Sequence, residues 1–261
     1  MNCRYKAKIV KAGEMIFGVS YAEFGQPGVK GRRGKFRPTS EVQERLNERN
    51  SRMQLTYMIH ENFDKTSISV DVSFADRYLP ETDAEFRREI RNYLKRVEKL
   101  YIKAGKEFRW ICIRAFGEEK GRLHLHFVFS GGVDEKAIKA KWGKGRVNYK
   151  QLEFDEMGVV DLSQYLGGQK AAGARRWTCS RNCRKPAEKV DRNLWSAKKL
   201  RMIAETSVAN RHHMFAEMYP GYWLSEQPRV VQNPVNGSWY MTFVMYQPDG
   251  KNLAEYAKRE K

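Results

Sequence analysis

Acidic residues are in short supply: 31 Asp and Glu stand against 49 Lys and Arg in 261 residues, a formal net charge of +18. Cysteine is scarce as well. Cys3, Cys112, Cys179 and Cys183 are too few and too scattered for the disulfide framework of a small secreted domain. Cys179 and Cys183 lie four apart, but no second Cys or His pair stands at ribbon or finger spacing, so a four-ligand structural zinc site is not expected. No apolar run approaches the roughly 20 residues that span a bilayer. The opening Met1-Asn2-Cys3-Arg4-Tyr5-Lys6 has no apolar stretch of the kind a secretory signal needs. Repeats and low-complexity tracts are missing too. These absences argue against a disulfide-stapled secreted scaffold, a helical membrane protein and a solenoid, and a reducing cytoplasm is the expected compartment.

What the chain does contain is enough to fold. Hydrophobic residues make up 41% and aromatics 12%, well above the composition of disordered chains. The length suits one large domain, or a domain with an extension. The positive charge is spread along the chain instead of gathered in a tail, which points to a polyanionic partner. Nucleic acid fits that charge, and no membrane partner is expected.

Periodicity lays out an α+β chain. Short β-like pieces at Ala7–Val10 and Met15–Val19 precede a Gly- and Arg-rich stretch, Gly25 to Lys35, read as a basic loop, and residues 1–38 together read as a basic N-terminal arm. Thr39 or Ser40 caps a helix carrying Val42, Leu46, Met53, Leu55 and Met58. Thr66 to Phe74 alternates polar and apolar residues, as a half-buried strand does. Thr82-Asp83-Ala84-Glu85 is a capping box before an amphipathic helix to Lys103. Two strands, Phe108–Phe116 and Leu123–Ser130, flank the six-residue connection Gly117 to Arg122 and read as a hairpin. Next come a short helix from Asp134 to Trp142, a small strand from Val147 to Tyr149 and a helix capped by Asp161 through Leu162, Tyr165 and Leu166. Lys189 to Thr206 is expected to be helical. Pro220 to Gln247 is expected to be strands, with Asn236-Gly237 a hairpin turn.

The chemistry gathers on the second strand of the first hairpin. In Gly121–Gly132 (GRLHLHFVFSGG), His124 and His126 are two residues apart, so a strand projects both imidazoles to one face while Leu123, Leu125 and Phe127 face the other. Such a pair can hold a metal ion. Ala171 to Lys185 adds Arg175, Arg176, Arg181, Arg184 and Lys185 around Trp177, a pattern of phosphate neutralisation beside an aromatic platform. A metal on two imidazoles and an oxygen ligand, with a nucleophile on a nearby helix and a basic groove, suits cutting a phosphodiester.

These segments, in order, resemble the HUH endonucleases, and within them the phage- and plasmid-type rolling-circle replication initiators (Rep). The resemblance runs over residues 40–186, with a weaker echo to 246. Asn47–Met53 (NERNSRM) and His60–Phe74 (HENFDKTSISVDVSF) look like the entry helix and first motif, and GRLHLHFVFSGG like the His-hydrophobic-His motif. Lys141–Val147 (KWGKGRV) looks like the Trp-Gly turn that follows, and Val160–Lys170 (VDLSQYLGGQK) like the nucleophile helix. Arg175–Pro186 (RRWTCSRNCRKP) looks like the Arg/Trp segment after it. The resemblance implies an HUH-type central antiparallel sheet flanked by helices over 39–186, with a small C-terminal β/α extension over 187–261 packed on it. It implies that Tyr165 is the nucleophile, assisted by Lys170, with His124 and His126 on a divalent metal, Mg2+ or Mn2+. Attack would leave a 5′-phosphotyrosine link and a free 3′-OH.

Where relatives often carry an acid nine residues before the first histidine, this chain has Ala115; Glu118 is the expected third ligand, with Glu119 and Asp71 as alternatives. The family's lysine position is taken by Gly168 and Gln169, and Lys170 lies five residues after Tyr165, about 140° round an ideal helix. Arg122, Arg175, Arg176, Trp177, Arg181 and Lys185 are the expected DNA contacts. The implied partners are single-stranded or hairpin origin DNA and the host helicase and polymerase, in a bacterial cytoplasm. The competing readings are a non-catalytic basic nucleic-acid-binding protein, a relaxase or transposase of a mobile element, and a zinc hydrolase. The hydrolase ranks low because no Asp or His follows the pair in Phe127–Gly132.

Overall fold

The computed structural model describes residues 4–24, 41–116, 123–159 and 177–248. It is an α+β fold of helices and antiparallel sheets. The N-terminal strands are β1 (Arg4–Ala12) and β2 (Met15–Glu23), followed by α1 (Glu41–Asn62) and β3 (Ile68–Ser73). Then come α2 (Asp83–Lys103), β4 (Trp110–Phe116), β5 (Leu123–Phe129), α3 (Glu135–Ala140), β6 (Val147–Gln151), β7 (Phe154–Asp155), β8 (Gly158–Val159) and β9 (Trp177–Cys179). The C-terminal part holds β10 (Ala187–Asp191), α4 (Ala197–Glu205), α5 (Val208–Met218), β11 (Trp223–Leu224), β12 (Arg229–Gln232) and β13 (Trp239–Tyr246).

The chain divides into two compact units. One comprises residues 1–50, 155–158 and 186–261, the other residues 51–154 and 159–185. The expected division into an arm, a nicking domain and an extension is therefore redrawn. Residues 4–23 are two strands inside a sheet with the C-terminal strands, in the order β10-β1-β2-β13-β11, with β12 also on β13. Helices α4 and α5 supply Leu200, Ile203 and Phe215 to the core of this unit, which includes Tyr5, Ala7, Ile16, Met241, Phe243 and Met245. Gly18 pairs with Phe243 across the β2–β13 ladder, and a Cβ at Gly18 would lie 2.1 Å from the Phe243 ring. The missing side chain is what lets that ring lie across β2.

In the second unit the sheet order is β6-β3-β5-β4-β9, with β5 at its centre. Period-two alternation sends Ile68, Val70, Val72, Leu123, Leu125, Phe127 and Phe129 to one face, where Phe86, Tyr93, Leu94, Val97 and Tyr101 of α2 pack on them. The capping signal reads as expected: Thr82 accepts a hydrogen bond from the Glu85 amide at 3.2 Å, and Glu85 in turn accepts one from the Glu81 amide at 3.1 Å. On the opposite face, Leu55, Met58, Ile59 and Phe63 of α1 and the turn after it pack on Ile111, Ile113 and Val128.

One element differs from its sequence reading and another was unassigned. Lys189–Asp191 is the end of strand β10, paired with β1, and not the start of a helix. The Asp191 carboxylate then accepts from the amides of Asn193 and Leu194, turning the chain, and Ser196 caps α4 through the Lys199 amide. Propensity alone cannot see this, because the strand exists only through its pairing with residues 7–11. Helix α5, capped by Ser207, carries too weak an apolar stripe to have been read from spacing. The Asn236-Gly237 hairpin stands as expected, with β12 on β13 and Gly237 at φ +67°. Among the described residues no helix is long and apolar enough to cross a membrane.

Candidate metal centre

The β5 ladder explains why the two histidines meet. His124 and His126 share the β5 face opposite Leu125 and Phe127, and their rings lie in a T-shaped arrangement with centroids 4.9 Å apart. Both are half-buried. The cross-strand register places Asp71 of β3 beside His126 on one side and Ile113 of β4 on the other. Asn148 of β6 follows Asp71, and Trp177 of β9 follows Ile113, so one row crosses all five strands. The adjoining row is Ser73, His124 and Ala115.

Asp71 Oδ1 lies 2.6 Å from His126 Nδ1. The side chain of His126 is 14% exposed and that of Asp71 40%, so the pair sits at the edge of the solvent. A carboxylate on Nδ1 makes that nitrogen the protonated one and turns Nε2 into the nitrogen able to ligate, the arrangement in which a carboxylate orients a metal-bound imidazole. Asp71, read from the sequence as an alternative third ligand, is therefore engaged with a ligand instead. The signal for it was already in Thr66–Phe74: Ser69, Asp71 and Ser73 form the polar half of the alternation, and the strand beside them carries the imidazoles. Asn148, missed altogether by sequence reasoning, had no signal beyond lying in a short strand.

Ala115 sits directly across from His124 and is buried. Its methyl group carries no oxygen, so the acid position that relatives fill on this strand contributes no ligand here. Among the described residues no group of three His, Cys, Asp or Glu side chains is placed to hold a metal. Two imidazoles on one strand face, one of them oriented by a carboxylate, fit two of the ligands a divalent cation takes. Tyr165, Lys170, Glu118, Arg122, Arg175 and Arg176 lie outside the described residues.

The segments flanking the site are held by backbone-directed polar groups. Trp142 is buried and its indole N–H donates to the Ser73 carbonyl at 2.9 Å, while Ser73 and Ala75 amides donate to Arg146 and Lys144 carbonyls. A Cβ at Gly145 would lie 2.0 Å from the Ser73 carbonyl oxygen, so the Trp-Gly turn clasps the end of β3 only with glycine there. Further on, Trp177 is half-buried against the α1 side of the sheet and donates to the Ser51 carbonyl at 3.3 Å. The Asn62 side chain and the Arg184 backbone exchange two hydrogen bonds, at 2.8 and 2.7 Å. Arg181 and Lys185 are exposed. Burial raises the phenol pKa values of Tyr93 and Tyr101 and the thiol of Cys112 well above their ordinary ranges, so these groups stay protonated and unreactive at neutral pH.

Residues 52–170, a little under half of the chain, match the model of the Replication-associated protein ORF2 family. No curated protein and no solved structure matches the chain. The matched span contains the whole β3-β5-β4-β6 part of the sheet and both histidines, and the match supports a replication-associated protein of the Rep type.

Proposed function

We propose that this chain starts DNA replication by nicking one strand of an origin, as a metal-dependent single-strand endonuclease and strand transferase of the HUH type. The observation that carries this reading is the imidazole pair on β5, with Asp71 on His126, inside the span that resembles replication-associated proteins. His124 and His126 would hold the cation, and Glu118, beyond the hairpin strand β4, would complete the set. A bound Mg2+ or Mn2+ would polarise the scissile phosphate and lower the barrier to attack by an oxygen nucleophile.

Tyr165 is the nucleophile in this reading. Its phenolic oxygen forms a bond to phosphorus, the bond from phosphorus to the 3′ oxygen breaks, and the phenol's proton ends on the departing 3′ oxygen. The products are a 5′-phosphotyrosine and a free 3′-OH from which a polymerase extends. One phosphodiester replaces another, so the step is reversible and the same residue can rejoin the strand. Lys170 would stabilise the phenolate, and Arg122, Arg175, Arg176, Arg181, Lys185 and the Trp177 segment would neutralise phosphates of single-stranded or hairpin DNA. Host helicase and polymerase would act on the opened origin.

The test is covalent trapping with Mn2+ and single-stranded origin oligonucleotides. A protein–DNA adduct that persists in Tyr149→Phe and disappears in Tyr165→Phe is the expected result. His124→Ala and His126→Ala are expected to abolish cleavage and to spare DNA binding. Binding with no adduct across several metals and origins would leave a basic nucleic-acid-binding protein without this chemistry.

A further inference from the structure

The sheet of the first unit has two unlike faces. Tyr5, Ala7, Ile16, Met241, Phe243 and Met245 point to the side of α4 and α5 and make the core. The alternate residues point the other way. There the register puts Lys6 opposite Tyr21, Tyr21 opposite Tyr240, and Tyr240 opposite Val231, one row across four strands. The next row is Lys8, Val19, Thr242 and Arg229. At the other end of this face Val10, Ala12, Met15 and Phe17 are buried, whereas Lys6, Lys8, Tyr21 and Tyr240 are half-buried and Arg229 is exposed.

Two neighbouring tyrosines on an open part of a sheet are costly as mere surface, and their surroundings are cationic. Arg49 donates to the Tyr240 hydroxyl at 3.3 Å. Of the carboxylates beside these rows, Glu23 is paired with Arg192 at 3.1 Å and Glu188 with Lys8 at 2.8 Å. Hydrogen bonding from Arg192, with Lys6 and Arg4 nearby, holds the Glu23 carboxyl below its usual range, which reports the same positive field. Arg4, Lys6, Lys8, Arg49, Arg192 and Arg229 thus outnumber Glu23 and Glu188 around the two rings.

We propose that this face is a second nucleic-acid site that binds single-stranded DNA, with two successive bases stacked on Tyr21 and Tyr240 and the backbone running along Lys6, Lys8 and Arg229. Directly opposed residues on antiparallel strands have Cβ atoms about 4.5–5.5 Å apart, which places two rings side by side as a platform for adjacent unstacked bases. A sheet face with exposed aromatics flanked by cations is a recurring way to hold single strands without reading a duplex groove. The site shares no residue with the histidine centre. The choice of DNA as occupant rests on the nicking reading above, while the binding chemistry does not.

The experiment is fluorescence anisotropy of the full chain with labelled oligothymidine, in a His124→Ala background so that cleavage plays no part. Tyr21→Ala and Tyr240→Ala are each expected to weaken binding about 10-fold, and Tyr21→Phe and Tyr240→Phe to stay within about twofold because the ring is kept. Lys6→Gln with Arg229→Gln is expected to flatten the slope of log affinity against log salt by about 1.4, two single-strand phosphate contacts' worth. Unchanged affinity in alanine variants with unaltered thermal unfolding overturns the site, and so does an equal loss in the phenylalanine variants, which would assign the effect to the hydroxyls. Preference for an RNA oligonucleotide of the same length would overturn DNA as the occupant. A failure of the nicking reading looks different: the Tyr165 adduct is absent while the Tyr21 and Tyr240 effects persist.

Discussion

Asp71 Oδ1 stands 2.6 Å from His126 Nδ1, across the β3–β5 ladder and 55 residues away in sequence. The contact converts two strand histidines into a pair of which one has its tautomer and ring orientation set. That is a condition for ligation that the His-x-His spacing alone does not meet.

Asp71→Asn keeps the shape of the side chain and removes its charge. It is expected to lower Mn2+ affinity about 10- to 100-fold, as losing a carboxylate behind a ligating imidazole does. Titration of the metal by calorimetry or electron paramagnetic resonance measures this without any turnover. Affinity unchanged from the parent would mean that Asp71 plays no part in orienting His126.

The Trp142 indole joins α3's end to β3 through the Ser73 carbonyl, and packs edge-on against Phe74 and Tyr93. Trp142→Phe removes the donor and leaves a void. Chemical denaturation is expected to show a loss of about 2–4 kcal/mol, from the cavity and the abandoned carbonyl together. A loss below about 0.5 kcal/mol would show that the turn does not depend on this anchor.

Gly18→Ala tests the crossing of Phe243 over β2. With a Cβ 2.1 Å from the ring, overpacking is expected to cost about 1–3 kcal/mol. The double variant Gly18→Ala with Phe243→Leu should recover part of that loss, because the smaller side chain vacates the space. Additive losses in the double-mutant cycle would place the strain elsewhere.

Asp64 caps the turn between α1 and β3, accepting from the Thr66 hydroxyl at 2.6 Å, the Thr66 amide at 2.9 Å and the Ser67 hydroxyl at 3.3 Å. The hydrogen bond from the Thr66 side chain is the main reason its carboxyl titrates below the ordinary 3.8. A folded pKa below the unfolded one means that the ionised form stabilises the fold above pH 3.8 and that this contribution is lost as pH falls through the folded value. Asp64→Asn is therefore expected to lower stability at neutral pH, by on the order of 1 kcal/mol for an exposed carboxylate, and to narrow the gap to the parent below pH 3.8. A gap that stays constant down through acid would contradict the role of the charge.

Much of the central sheet was legible in the sequence because its signals are local. The alternation in Ile68–Ser73, the capping box at Thr82 and the His-x-His strand each need only neighbours a few residues away. The strand identity of residues 187–191 was not legible, nor was the inclusion of residues 4–23 in a sheet with residues 223–246, because both arise from pairing with partners far along the chain. Tyr165, Lys170, Glu118, Arg122, Arg175 and Arg176 remain readings of sequence and resemblance.

By itself the sequence determined that the chain folds, that it carries a large positive charge suited to a polyanion, and that two imidazoles share a strand face. Those properties follow from composition and from the two-residue repeat of a pleated strand. Only the tertiary structure decided which carboxylate meets His126 and that a buried methyl group, Ala115, stands opposite His124. It also decided that Tyr21 and Tyr240 lie side by side. Strand register sets such meetings, and register is fixed by packing between segments that no local pattern connects.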